Sequence, residues 1–173
     1  MAGTHTEGGS GPRLPAVDAS ELVRVRTRHP EAVAEAAARR VRRPLPGASG
    51  RLVTVAAGGP ARGAPGAGDR VLAAANRADL LRRLCPALSG PGVDGVLATA
   101  DVLDDPLLLG VLGHKVVLRG DVGDFSEERV AACRKWRGAL HLPTVRALVV
   151  GRSLLHPADG DVAAAVGTAT GLL

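Results

Sequence analysis

Gly151, Arg152 and Ser153 follow the apolar run "VRALVV" (145–150) and lead into "LLHPADGDV". A glycine lets backbone amides come close to an anion, a guanidinium offers fixed donors, and a hydroxyl adds one more. At a strand end, with the N–H groups of a short turn aimed at the same point, this trio suits a phosphate. It equally suits a plain strand-to-helix turn with Arg152 on the surface, and the residues alone leave both readings open. A second candidate is the loop "AAGGPARGAPGAGDR" (56–70), where Arg62, followed by Gly63, carries the anion-binding chemistry. Its glycines match neither the dinucleotide fingerprint nor the P-loop. A flexible connection and a ligand-contacting loop both remain possible readings.

Other chemistries find little support. The histidines at 5, 29, 114, 141 and 156 share no metal-ligand spacing, and Cys85 and Cys133 are far apart, so neither a metal nor a cofactor is expected. The two cysteines read as buried, reduced thiols of a cytoplasmic protein. "VGRSLL" is not the G-x-S-x-G of a hydrolase nucleophile elbow. The basic cluster "ARRVRRP" (38–44) has no interleaved aromatics, Phe125 and Trp136 being the whole aromatic complement. It reads as a solvated helix end, and no nucleic-acid partner is expected.

The elements that must position these residues can be read from the pattern. The N-terminal "MAGTHTEGGSGPRLPAVD" (1–18) has the composition of a disordered tail and lacks a signal-peptide pattern. Residues 19–173 read as one α/β domain, with no apolar run long enough to span a membrane. A helical lead-in comes first, with Ser20 capping "ELVRVRTR" and Pro30 opening "EAVAEAAARRV", whose Val33, Ala37 and Val41 form a narrow apolar face. Strands are expected at 51–57, 92–99, 115–119 and 145–150. Helices alternate with them: "ANRADLLRRLCPALS", which Pro86 should kink or end early, then "DVLDDPLLLGVLG", "SEERVAACRKWRGAL", and a last helix from about Asp159. Near-continuous apolar strands alternating with helices imply a parallel sheet. The third and fourth strands are expected to be neighbours, joined by a short helical crossover.

The runs "RLVTVAAGGPARGAPGAGDR", "LLRRLCPALSGPGVDGVLATADVLDDPLLLGVLGHKVV" and "LPTVRALVVGRSLLHPADGDVAAAV" together resemble a bacterial class I aldolase-like (β/α)₈ family. That family is related to the fructose-bisphosphate and deoxyribose-phosphate aldolases and is associated with myo-inositol catabolism. The resemblance spans nearly all of 20–173 but is discontinuous. Residues to about Val117 look like the family's first three strands, and those from about Leu118 look like its seventh and eighth. The implied fold is a partial TIM-type barrel of about four strands, joined near "HKVVLRGD". The resemblance makes Gly151, Arg152 and Ser153 a phosphate motif and places Gly120 in the loop after the seventh strand. It also implies departures. Arg119 replaces a small residue, and Ala57–Gly63 reads Ala-Gly-Gly-Pro-Ala-Arg-Gly where the family has Ala-Asp-His-Pro-Ala-Arg-Gly.

A class I aldolase forms a Schiff base through a lysine. The family's candidate lysines fall in the missing middle. Lys115 enters its strand at the N-terminal end, and Lys135 lies opposite the stripe Val130, Cys133, Trp136 and Leu140. No catalytic residue is therefore assigned. The expectation is an aldolase-family, lyase-like protein of carbohydrate or inositol catabolism, catalytically impaired, that binds phosphate or a sugar phosphate weakly and can form a homo-oligomer. A non-catalytic sugar-phosphate-binding or interaction module, and a truncated product without function, are the alternatives.

Overall fold

Apolar runs at the expected places form four short strands in a computed structural model, which describes residues 18–45, 50–59, 63, 65–67, 69–119 and 147–172. These are β1 (Leu52–Ala56), β2 (Gly95–Ala98), β3 (Val116–Arg119) and β4 (Ala147–Val150). They make one all-parallel sheet in the order β3-β2-β1-β4. Thr54 lies in register with Gly95 on one side and Val149 on the other. The chain is therefore an α/β protein with a four-stranded parallel sheet alternating with helices.

The strand order corrects one expectation. The third and fourth strands are not neighbours: they form the two edges of the sheet, with β2 and β1 between them. Closeness in sequence suggested adjacency, but the connection over residues 120–146 is long enough to cross two strands, each only about 5 Å from the next. β1, buried from Leu52 to Val55, gains a partner on each side.

Among the described residues the helices are α1 (Ala19–Arg28), α2 (Glu31–Ala38), α3 (Arg77–Ser89), α4 (Ala100–Leu108), α5 (Arg152–Leu155) and α6 (Val162–Thr170), and the expected helix "SEERVAACRKWRGAL" lies outside them. One face of the sheet, with Val55, Val96 and Val150, packs against Leu80, Leu84 and Leu88 of α3 and against Leu154, Ala165 and Val166. Burial of such aliphatic surface is the main force holding the layers together.

Local signals moved several boundaries. Asp18, expected in the tail, is the true N-cap of α1: its carboxylate accepts from Ser20 N at 2.9 Å and from the Ser20 hydroxyl at 2.6 Å. A carboxylate answers the first-turn N–H groups and the helix dipole together, so it displaces Ser20 from that role. In α2 the buried residue is Ala36, whereas Ala37 is exposed and Val41 lies beyond the helix end at Ala38. The expected Val33, Ala37 and Val41 stripe is thus one position out of phase. α3 runs through Pro86 to Ser89 instead of ending early. Its flanking Leu84, Cys85, Ala87 and Leu88 are all buried, and that packing outweighs the one hydrogen bond a proline removes. α6 begins at Val162, capped by Asp161, which accepts from Ala164 N at 2.9 Å.

The basic cluster after α2 is only in part a solvated helix end: Arg39 and Arg42 are exposed, but Arg40 and Arg43 are not. Arg40 donates to the carbonyls of Leu112 at 3.1 Å and Lys115 at 2.6 Å. Arg43 pairs with Asp94 at 2.5 Å, and Asp94 also accepts from Val53 N at 2.8 Å. These arginines tie the lead-in to the amino ends of β1, β2 and β3. On α4, Asp105 is 2 % exposed and accepts from Arg77 at 2.6 Å and Arg26 at 3.4 Å, linking α1, α3 and α4.

Candidate phosphate site at the carboxyl ends of the strands

β4 ends at Val150, and the chain turns at Gly151 directly into the four-residue α5. The turn sits against β1. A Cβ on Gly151 would lie 2.8 Å from the Ala56 carbonyl oxygen and 3.3 Å from its Cβ, so only glycine fits this crossing. The glycine is therefore explained by strand packing, before any ligand is considered. Leu154 N and Leu155 N both donate to Gly151 O, at 3.0 and 3.1 Å, which closes the short turn.

Arg152 points back to the loop after β1, donating from Nη1 to the Gly66 carbonyl at 3.3 Å. The two stretches singled out in the sequence, 56–70 and 151–153, thus meet in space. The loop carries its own turns: Ala67 N donates to Arg70 O at 3.0 Å, Arg70 N returns to Ala67 O at 3.2 Å, and Ala74 N donates to Pro65 O at 2.7 Å. Gly63 has a φ of +69° with open space around it. Ser153 is partly buried, and its hydroxyl has no hydrogen-bond partner among the described residues. Arg62 and Gly120 lie outside the described residues. Gly120 follows β3, however, and β3 is at the far edge from β4, so the expected cradle joining Gly120 to Gly151–Ser153 does not assemble from adjacent strands.

Lys115 lies where the sequence put it, just before β3, at the amino end of the sheet. Its ammonium donates to the Val93 carbonyl at 2.6 Å. Burial lowers its pKa, with the Arg43 charge acting in the same sense against Asp94. Its place is the end opposite Arg152. Cys85 is buried and free, its thiol pushed up to about 11 by burial and then by the Asp105 charge, so it is an inert core residue. Lys135 and Cys133 lie outside the described residues. No cluster of three or more metal-ligating side chains, and no helix long and apolar enough to cross a membrane, occurs among the described residues.

One residue carried no spacing signal in the sequence. His156 caps the end of α5, its backbone N–H donating to Arg152 O at 2.8 Å. Both its ring nitrogens are shut off from solvent without a hydrogen-bond partner. Beside it, Arg83 of α3 donates from Nη1 to the Leu155 carbonyl at 3.3 Å and from Nε to Asp79 at 3.0 Å. Burial, followed by the charges of Arg83 and Arg70, lowers the imidazole pKa to about 4; Asp79 pulls the other way, and Arg152 adds a smaller push downward. Only folding reveals this setting, because Arg83 and Arg70, whose charges act on it, come from other segments.

The chain is similar in structure to Cgl0159 from Corynebacterium glutamicum, solved by crystallography, with a TM-score of 0.78 and 30% identity over 88% of this chain and 95% of that one. No curated protein matches it. The Cgl0159-like family profile matches residues 50–122 and 118–170, two stretches that overlap at 118–122 within and just after β3. With both the strand framework and the Arg152 turn inside the matched stretches, the chain belongs to the Cgl0159-like family.

Proposed function

We propose that this protein binds a phosphate monoester of the sugar-phosphate class at the carboxyl ends of β4 and β1, as a shortened and catalytically impaired relative of the Schiff-base aldolases. One observation carries the reading: Arg152 and Ser153 leave β4 at the end of the sheet where parallel α/β proteins bind ligands, and Arg152 engages the glycine-rich loop after β1. The order β3-β2-β1-β4 supports a partial-barrel origin, since the last strand of a closed (β/α)₈ barrel lies beside the first. The two family-matched stretches overlap at 118–122, where the sequence resemblance places its join, and this supports the same origin.

Binding without lyase chemistry is favoured by the position of Lys115. A Schiff-base lysine must reach the ligand end of the sheet, and Lys115 is committed to a carbonyl at the other end. The aldolase ancestry and the link to inositol catabolism rest on the sequence resemblance alone.

Titration of the protein with inorganic phosphate and with a sugar phosphate, followed by amide NMR, tests the reading. The signals of Gly151 to Leu154 should shift. Arg152→Ala should weaken binding roughly ten- to a hundredfold, the worth of about 1.5–3 kcal/mol for a charged donor. Borohydride treatment with the same ligands should label neither Lys115 nor Lys135. Absence of shifts at 151–154 would refute the phosphate site; stoichiometric labelling lost on Lys115→Met or Lys135→Met would refute the non-catalytic assignment.

A further inference from the structure

We propose that two copies of this chain close one eight-stranded parallel barrel by exchanging their carboxyl-terminal units, β4 with α5 and α6. The inference goes beyond the phosphate reading and does not rest on it. In the all-parallel order β3-β2-β1-β4, the two outer strands each pair on one side only among the described residues. Side chains alternate along a strand, so the two faces of the sheet can be compared. Val55, Val96 and Val150 share the face covered by α3, α4, α5 and α6, and all three are buried. On the opposite face, Ala56, Leu97, Leu118 and Val149 remain partly exposed. Helices outside and apolar side chains inside are the two sides of a (β/α)₈ barrel wall. Four strands are half of the eight that close it.

The direction of the chain decides how the halves connect. The steps β1-α3-β2 and β2-α4-β3 run the same way across the sheet and carry their helices on one face. From β3 to β4 within one sheet, the chain steps back past two strands. A connection on the helical face would then be left-handed, which parallel crossovers almost never are. A right-handed one would cross the opposite face and leave both sheet edges open. Exchange removes both difficulties. β4 follows β3 in the forward direction, right-handed and on the helical face, and pairs with β1 of the second copy. The ring runs β1-β2-β3-β4 and on into the same four strands of that copy, with no edge left. The β4–β1 register, the approach of Gly151 to Ala56 and the Arg152–Gly66 contact are all kept, but they join two chains. The candidate site then lies across the interface. Because single and exchanged forms share these contacts, exchange is a low-cost route to a dimer, and the new β3–β4 seam favours it.

Gly90 and Val166 read the connectivity. A Cβ on Gly90, the residue after α3, would lie 3.4 Å from Val166 Cγ1 on α6. That spacing suits a disulfide in the double variant Gly90→Cys with Val166→Cys, made together with Cys85→Ala and Cys133→Ala. After oxidation of the dilute protein, a denaturing gel without reductant should show a two-chain band that reductant converts to one chain. A single-chain band would place α6 on α3 of its own chain and overturn the exchange. The parent chain gives an independent reading: light scattering should return twice the mass of one chain, and a single-chain mass overturns the proposal. The seam has its own test. Val116 N–H donates to the Asp94 carbonyl on the β2 side, so the N–H of Val117 faces the open edge. Val117→Pro removes that donor without touching the β2 ladder, and should lower the mass to one chain with the circular dichroism retained. A folded Val117→Pro variant of two-chain mass would overturn the β3–β4 seam.

Discussion

The guanidinium of Arg152 lies 3.3 Å from the carbonyl oxygen of Gly66, a contact between residues 86 apart in sequence. It fastens the turn after the edge strand β4 to the long loop after the central strand β1. Both ends of any ligand contact made here would thus be set by one side chain. Arg152 consequently has a structural duty, and Arg152→Lys, which keeps the charge but loses the planar fork, should loosen the loop while retaining the anion attraction proposed for this position. The next tests separate such duties.

Gly151→Ala should destabilise the protein by about 1–3 kcal/mol, the usual cost of forcing atoms into a filled space. The new methyl would meet the Ala56 carbonyl at 2.8 Å, a backbone atom that cannot swing aside. Urea unfolding compared with the parent protein measures this; an unchanged midpoint would show that β4 and β1 are not in such close contact.

Asp105→Asn should cost about 2–4 kcal/mol, toward the range for breaking a buried ion pair but reduced because its arginines are partly exposed. The carboxylate is 3% exposed at its side chain and pairs with Arg77 and Arg26, which also reach Asp101 and Asp104 respectively. Thermal unfolding reads the loss. Glu21→Gln, which breaks only the exposed pair of Glu21 with Arg24 on α1, should by contrast change stability by less than about 1 kcal/mol.

Acid should weaken the fold through His156. Its folded pKa of about 4 lies below the ordinary 6.5, so the unfolded chain takes up the proton first. The contribution of the neutral imidazole is therefore whole above pH 6.5 and is lost as pH falls from 6.5 toward 4. Allowing for solvent screening at a half-buried ring, the loss is about 1–2 kcal/mol. Chemical denaturation at pH 7.5 and pH 4.5 should show it in the parent protein, with a smaller difference in His156→Gln. Equal slopes in the two proteins would mean the imidazole is solvated.

The sheet's two edges, β3 and β4, each pair on one side only among the described residues. Parallel sheets are ordinarily covered on both faces and protected at their edges. Self-association is the expected result, visible as a light-scattering mass above that of one chain and an unfolding temperature that rises with concentration. A monomer whose unfolding temperature ignores concentration would assign that protection to the chain itself.

Local chemistry was enough to place the four strands and most helices. β-rich aliphatic runs such as "LVTVA" and "ALVV" bury on a sheet wherever that sheet is assembled, and Asn76 or Asp161 caps the residues that follow it. The place of Lys115 was legible too, because a residue just before a strand lies at that strand's amino end. Partnership was not legible. That β4 pairs with β1 and not with β3, that Arg40 and Arg43 clamp strand ends, and that Arg83 reaches the carbonyl just before His156 are all contacts between distant residues. Gly151 shows the division most clearly. Its identity could be read as a ligand's requirement or a turn's, and only the 2.8 Å approach of Ala56 shows that the neighbouring strand demands it. Sequence spacing encodes what a residue does to its own segment; the neighbours it meets depend on how the whole chain packs its apolar faces.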